Sequence, residues 1–190
     1  MKPAPDRLLP GGLRLHAAFE HEGPAKTLVH HLKYRGVTLY AELVADILAE
    51  RIPPIPLVPV PRALSRRLKY GVDPARVIAA ALGERLRVPV FDVLIAPLHA
   101  PRRAGRDHSR SVRSFPTRSR LRFPVVIVDD VVTTGSTVSA AIEAIGLELV
   151  GAVAAANVVA NVVRQGSNVV PAAPARSQDW MEFVNSSSSR

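Results

Sequence analysis

Apolar positions along this chain follow two alternating patterns, helical spacing and short unbroken runs. In AKTLVHHLKY (25–34), Leu28, Val29 and Leu32 recur at helical intervals, and Gly36 closes the segment. TLYAELVADILAER (38–51) predicts a second helix, with Leu39, Leu43, Val44, Ile47 and Leu48 facing the core, stopped by Pro53 and Pro54. IPLVPV (55–60) predicts a short strand whose alternate prolines make it leave the ladder early. PRALSRRLKYGV (61–72) predicts a basic loop. Asp73 suits an N-cap and Pro74 the first turn of a helix reaching about Arg87. VPVFDVLI (88–95) and residues 124–129 predict strands, Ser136–Ile145 a helix ending near Gly146, and 149–156 a last strand. Residues 97–122 show no periodicity and predict a long loop, which in a compact domain is a functional lid or a disordered segment.

Helical and strand segments alternate, which predicts an α/β fold: a single domain with a twisted, mostly parallel sheet flanked by helices. That domain is expected to span 1–163. Residues 164–190 are polar and Pro-rich and predict a loosely held tail, in which DWMEFV (179–184) is a small apolar patch suited to docking. No internal repeat is visible.

With 190 residues the chain suits one well-buried domain. Aromatic residues make up only 5% of it, so Val, Leu, Ile and Ala must build the core. The absence of cysteine removes disulfides, thiolate metal sites and cysteine nucleophiles, and agrees with a cytoplasmic setting. MKPAPDRLLPGGLRLH lacks the apolar run of a secretory signal. LELVGAVAAANVVANVV (147–163) is interrupted by Glu148, Gly151, Asn157 and Asn161, so a buried strand is expected there and no membrane span. The formal charge is +9, and residues 102–122 hold eight arginines against one aspartate. Such a field attracts polyanions, either nucleic acid or a small molecule with several phosphates. His30 and His31 are adjacent on a helix, which spoils joint metal ligation, and His108 is at most a phosphate contact. Neither GxxxxGK[ST] nor GxGxxG occurs.

The sharpest chemistry lies in VVIVDDVVTTGST (125–137). A run such as VVIV is buried on both faces, as central parallel strands are. Ligands of open α/β sheets sit at the carboxyl ends of such strands, which puts Asp129 and Asp130 at a crevice. Gly135 lets backbone approach a ligand, the start of the following helix offers N–H groups to an oxyanion, and Thr133, Thr134, Ser136 and Thr137 add hydroxyls. The turn therefore suits a phosphate. The two carboxylates suit ribose hydroxyls or a hydrated Mg²⁺. A ribose 5-phosphate satisfies both ends.

This stretch resembles the phosphoribosyl pyrophosphate (PRPP) signature of type I phosphoribosyltransferases. The resemblance implies that Asp129 and Asp130 bind the ribose hydroxyls, and Mg²⁺ through water, while Thr133, Thr134, Gly135, Ser136 and Thr137 bind the 5-phosphate. FEHEGPAKTLVHHLKYRG (19–36), LVPVPRALSRRLKYG (57–71) and the basic segment before the signature are similar to the ComF-like competence proteins, over about residues 19–157. By that resemblance Arg62, Arg66, Arg67 and Lys69 form a pyrophosphate loop, and 97–122 is a flexible hood that closes over PRPP. Arg62, Arg102 and Arg103 are then the catalytic candidates, with Arg106 and Arg110 also placed to reach the leaving pyrophosphate. Closure of such a hood would exclude water and favour transfer over hydrolysis.

The chain departs from that pattern at three points. The four-cysteine zinc module at the start of ComF-like proteins is missing, and their GFNQ is replaced by YGVDPA (70–75). Thr133 stands where 6-oxopurine transferases carry an aspartate base, which disfavours hypoxanthine or guanine as acceptor. The expectation is Mg-dependent PRPP binding and phosphoribosyl transfer to an unidentified acceptor such as a nucleobase. The alternative is an inactive PRPP-fold module in DNA uptake or regulation, with nucleic acid on the arginine-rich hood. No membrane partner is expected, and assembly into a homodimer is left open.

Overall fold

A strand that is apolar on both faces needs cover on both sides, and that requirement organises the sheet. The computed structural model describes residues 1–9, 12–35, 38–98, 115–146 and 151–157. Its ten elements are β1 (Arg7–Leu8), β2 (Arg14–Glu20), α1 (Gly23–Arg35), α2 (Thr38–Ala49), β3 (Leu57–Pro59), α3 (Leu64–Tyr70), α4 (Pro74–Leu86), β4 (Val126–Val132), α5 (Ser136–Ile145) and β5 (Gly151–Asn157). The sheet runs in the order β1-β2-β5-β4-β3. Only the β1–β2 pair is antiparallel; β2–β5, β5–β4 and β4–β3 are parallel. The protein is thus a mixed α/β fold whose mostly parallel sheet is flanked by helices. Among the described residues no helix is long and apolar enough to cross a membrane.

Two apolar layers cover β4. Val126 and Val128 pack with α1, α2 and α4, through Leu32, Leu48, Ile78 and Leu82. Ile127 packs on the opposite face with Val138, Ala141 and Ile145 of α5. The register (Leu57 beside Val126, Ile127 beside Ala152, Val132 beside Asn157) aligns the carboxyl ends of the parallel strands.

Residues 88–95, expected as a strand, form none. Val90 makes one parallel bridge to Leu57, on the edge of β3 away from β4. Two backbone bonds hold it: Leu57 N–H to the Pro89 oxygen (3.0 Å) and Phe91 N–H to the Leu57 oxygen (2.8 Å). Pro89 has no N–H to extend the ladder. The bridge still defines the winding. From β3 the chain crosses through α4 to this outer edge, whereas from β4 it crosses through α5 to β5 in the opposite direction. Connections that diverge from neighbouring strands leave a crevice between their carboxyl ends, and here that gap lies between β3 and β4.

Other expectations are corrected. The first strand of the parallel set, β2, was not anticipated, because RLHAAFE mixes charge with small residues. Its Leu15 and Ala17 are fully buried all the same. Residues 61–72 contain α3 instead of an unbroken loop. Its first-turn amides bond outward, Leu64 N–H to the Pro97 oxygen (2.8 Å) and Ser65 N–H to the Leu98 oxygen (3.1 Å). On α2 the core face is Ala41, Val44, Ala45 and Leu48, while Leu39 is 67% exposed and Leu43 is exposed too. Of the proposed hood, Phe115 and Leu121 are buried and Thr117 bridges Leu94, so residues 115–121 pack on the domain. Residues 99–114 and the proposed tail 164–190 lie outside the described residues.

Candidate functional site

At the end of β4 the sheet delivers Asp129 and Asp130 in consecutive positions. Side chains alternate along a strand, so Asp130 continues the Val126–Val128 face toward α4 and Asp129 continues the Ile127 face toward α5. Asp129 is only 8% exposed and Asp130 is half-buried. Each carboxylate also shapes the backbone: Asp129 Oδ1 accepts the Asp130 N–H (2.8 Å), and Asp130 Oδ1 accepts the Val131 N–H (2.8 Å). A ligand held by both acids must lie across the end of β4.

Immediately beyond, Thr133 and Thr134 are exposed and Gly135 turns the chain at φ 85° into α5. That left-handed conformation favours glycine. The space does as well, because a Cβ on Gly135 would meet Leu9 Cδ2 at 2.9 Å. Gly135 is the N-cap of α5 and brings no side-chain cap. Thr134 Oγ1 takes part in the turn instead, donating to Ser136 Oγ (3.2 Å) and accepting the Ser136 N–H (3.4 Å). A helix start of this kind, rimmed by the hydroxyls of Thr133, Thr134 and Ser136, is suited to an oxyanion.

Two residues that sequence reasoning missed hold this turn. Arg7, in β1, donates from Nη2 to the Thr133 carbonyl oxygen at 2.6 Å, and Leu9 packs on Gly135. They are 126 residues away from the turn in sequence, and nothing local signals the contact. Arg7→Ala is expected to speed amide exchange in 133–137 about tenfold, since a hydrogen bond to a charged group contributes roughly 1.5 kcal/mol or more. Exchange monitored by mass spectrometry checks this, and unchanged rates would refute the clamp.

Across the crevice, the end of β3 leads into Arg62, whose backbone N–H donates to Asp73 Oδ2 (3.0 Å). The Arg62 guanidinium folds back, donating from Nη1 to the Val72 oxygen (3.2 Å) and lying 4.9 Å from the Tyr70 ring centroid. Lys69 Nζ approaches the same ring at 5.1 Å. Arg66, Arg67 and Lys69 are exposed on α3. Asp73, expected only as a helix cap, stands at the N-cap position of α4 and also ties that helix to the end of β3 through the Arg62 N–H. Burial pushes its carboxyl pKa upward, against the Arg62 and Arg76 backbone N–H groups and the Arg67 charge, and the Asp130 charge adds to the rise. Arg76 N–H approaches the carboxyl but makes no capping hydrogen bond, and the buried Oδ1 has no partner among the described residues.

The structure thus places Asp129, Asp130 and Thr133–Thr137 on one continuous strand–turn–helix unit, and Arg62, Arg66, Arg67 and Lys69 on the neighbouring strand exit. Arg102, Arg103, Arg106, His108 and Arg110 lie outside the described residues. His30 and His31 stack edge-to-face at 6.3 Å, and His31 lies 5.5 Å from Tyr40. Among the described residues no three His, Asp or Glu side chains converge as a metal cage. The class defined by fold and site is a mostly parallel α/β protein with an acidic strand end and a hydroxyl-rich glycine turn at its crevice. Compared with protein-family models and with curated proteins, the chain matches none.

Proposed function

We propose that this protein binds PRPP with Mg²⁺ and transfers its phosphoribosyl group to an acceptor, with a type I phosphoribosyltransferase fold. The observation that carries this reading is the joining, at one crevice, of the Asp129–Asp130 strand end to the Thr133–Thr137 turn. In this reading the 5-phosphate sits at the turn and the start of α5, and the ribose hydroxyls meet the two acids. Arg66, Arg67 and Lys69 bring positive charge to the pyrophosphate. Arg62 fixes the loop that carries them, through Asp73, Val72 and Tyr70. Arg102 and Arg103 enter the proposal as contacts of the leaving group, on the family resemblance alone.

The neighbouring carboxylates of Asp129 and Asp130 suit Mg²⁺, which keeps several waters and takes substrate oxygens beside one or two protein acids. When bound, the ion neutralises pyrophosphate charge. The residues of the chain position the ribose: the C1–O bond to pyrophosphate breaks and a bond from C1 to the acceptor forms. Positioning and fixed charge do most of the work in such a step.

Calorimetric titration of PRPP with Mg²⁺, paired with a pyrophosphate-release screen over nucleobases, tests the proposal. Binding is expected in the range of roughly 1 μM to 1 mM that is usual for enzyme substrates, and chelation with EDTA should weaken it about tenfold or more. Absence of binding in that range overturns the reading. Binding without release for any acceptor would leave a PRPP-binding module, the form in which nucleic acid on residues 102–122 becomes the question.

A further inference from the structure

Residues 2–8 run antiparallel beside β2 in one register, with Pro3 opposite Phe19, Arg7 opposite Leu15 and Leu8 opposite Arg14. The pairing is broken between its two ends. On one side of the break, Glu20 N–H donates to the Lys2 oxygen (3.0 Å) and Ala4 N–H to the Ala18 oxygen (3.4 Å); β1 lies on the other. Pro5 stands in the gap and has no N–H to give. Arg51, just beyond α2, reaches into this gap with a partly buried guanidinium. Its Nη1 donates to the Ala17 oxygen (2.6 Å), and its Nη2 to the Ala4 oxygen (3.2 Å) and to Asp6 Oδ1. His16 Nδ1 lies 2.9 Å from the same carboxylate oxygen. One planar, charged fork thus ties together both strands and the Asp6 side chain where the backbone ladder is interrupted.

The pinned segment leads directly to the turn. Asp6 precedes Arg7, whose guanidinium donates to the Thr133 carbonyl oxygen, and Leu9 follows against Gly135. β1 itself is two residues long, and so short a pair holds its register weakly. A slip of one residue would turn Arg7 and Leu9 to the opposite faces. The hold on the turn is therefore only as firm as the pin upstream of it. We propose that Arg51 is a positioning residue of the anion site: through Asp6 it keeps Arg7 and Leu9 seated on the 133–137 turn, and so sets the affinity of that turn for a phosphate monoester. Arg51 does this although its own hydrogen bonds go to Ala4, Asp6 and Ala17, none of them in the turn. The phosphate as ligand rests on the PRPP reading; the mechanical link from Arg51 to the turn rests on the hydrogen bonds alone.

Two measurements on the full chain test the link: amide exchange followed by mass spectrometry, and calorimetric titration with ribose 5-phosphate. In Arg51→Met, exchange in 133–137 should quicken about three- to tenfold while β4 and β5 keep their wild-type rates. Affinity for ribose 5-phosphate should fall by a similar factor, about three- to tenfold. Asp6→Ala, at an exposed position, should show the same signature and carries the test if Arg51→Met does not fold. Arg51 and Arg7 act in series, so the Arg7→Ala/Arg51→Met protein should bind ribose 5-phosphate no more weakly than Arg7→Ala alone. Additive losses in that protein, unchanged exchange at the turn, or quickening shared equally by β4 and β5 would overturn the inference, the last because it marks a general loss of stability. Equal affinity for ribose 5-phosphate in the wild type and both single variants would keep the PRPP reading and remove the pin. If the wild type binds no ribose 5-phosphate up to about 10 mM, a level weaker than ordinary substrate binding, the PRPP reading fails at the turn and exchange alone decides the pin.

Discussion

Gly135→Val is expected to lower the melting temperature by roughly 5–15 °C, at about 2–4 °C per kcal/mol for a protein of this size, and to abolish anion binding at the turn. Two independent costs combine. Valine is strained at φ 85°, by about 1–3 kcal/mol. Its Cβ would also sit 2.9 Å from Leu9 Cδ2, and overpacking of that kind costs about 1–3 kcal/mol more. The contributions are separable, since Leu9→Ala in the same chain relieves the clash and leaves the backbone strain. Thermal melts by circular dichroism provide the measurement. A Gly135→Val protein melting within about 2 °C of wild type would mean that the turn does not depend on the conformation described.

Asp129→Asn combined with Asp130→Asn is expected to weaken PRPP binding at least about a hundredfold, because each lost contact to a charged group contributes roughly 1.5–3 kcal/mol. Asparagine keeps the Oδ1 that accepts the Asp130 or Val131 N–H, so the backbone of β4 should persist. The substitution removes charge and little else. A ligand-free signature accompanies it. The Asp130 charge raises the Asp73 pKa, so Asp130→Asn should let that pKa fall. A carbon-detected titration of the Asp73 carboxyl reads the shift.

The β4–turn–α5 unit was legible because its signals are local. An unbroken aliphatic run, a glycine and a helical pattern follow one another within 21 residues of sequence, and burial on both faces leaves β4 no other role. The other elements depended on distant partners. β2 reads as ambiguous in sequence and is a strand because β5 lies parallel beside it. The run at 88–95 is rich in strand-forming residues, yet Pro89 limits it to one bridge on Leu57. Leu39 and Leu43 fit a helical pattern, but α4 packs on the Ala41–Leu48 face of α2 and leaves them outside. In the site, the acids and hydroxyls could be read from residue type. Arg7 and Leu9, which hold the turn, could not, since only the fold brings them there. Asp73 was legible as a cap and not as the acceptor of the Arg62 N–H, because only the fold brings the two together.

Titration calorimetry of Mg-PRPP against the wild-type protein and the Asp129→Asn/Asp130→Asn protein, both shown to be folded by melting, bears most directly on the PRPP site. Saturable binding to the wild type, with a loss of about a hundredfold or more in the variant, is the predicted result. Absence of PRPP binding by the wild type, or equal affinity in the two proteins, would contradict it.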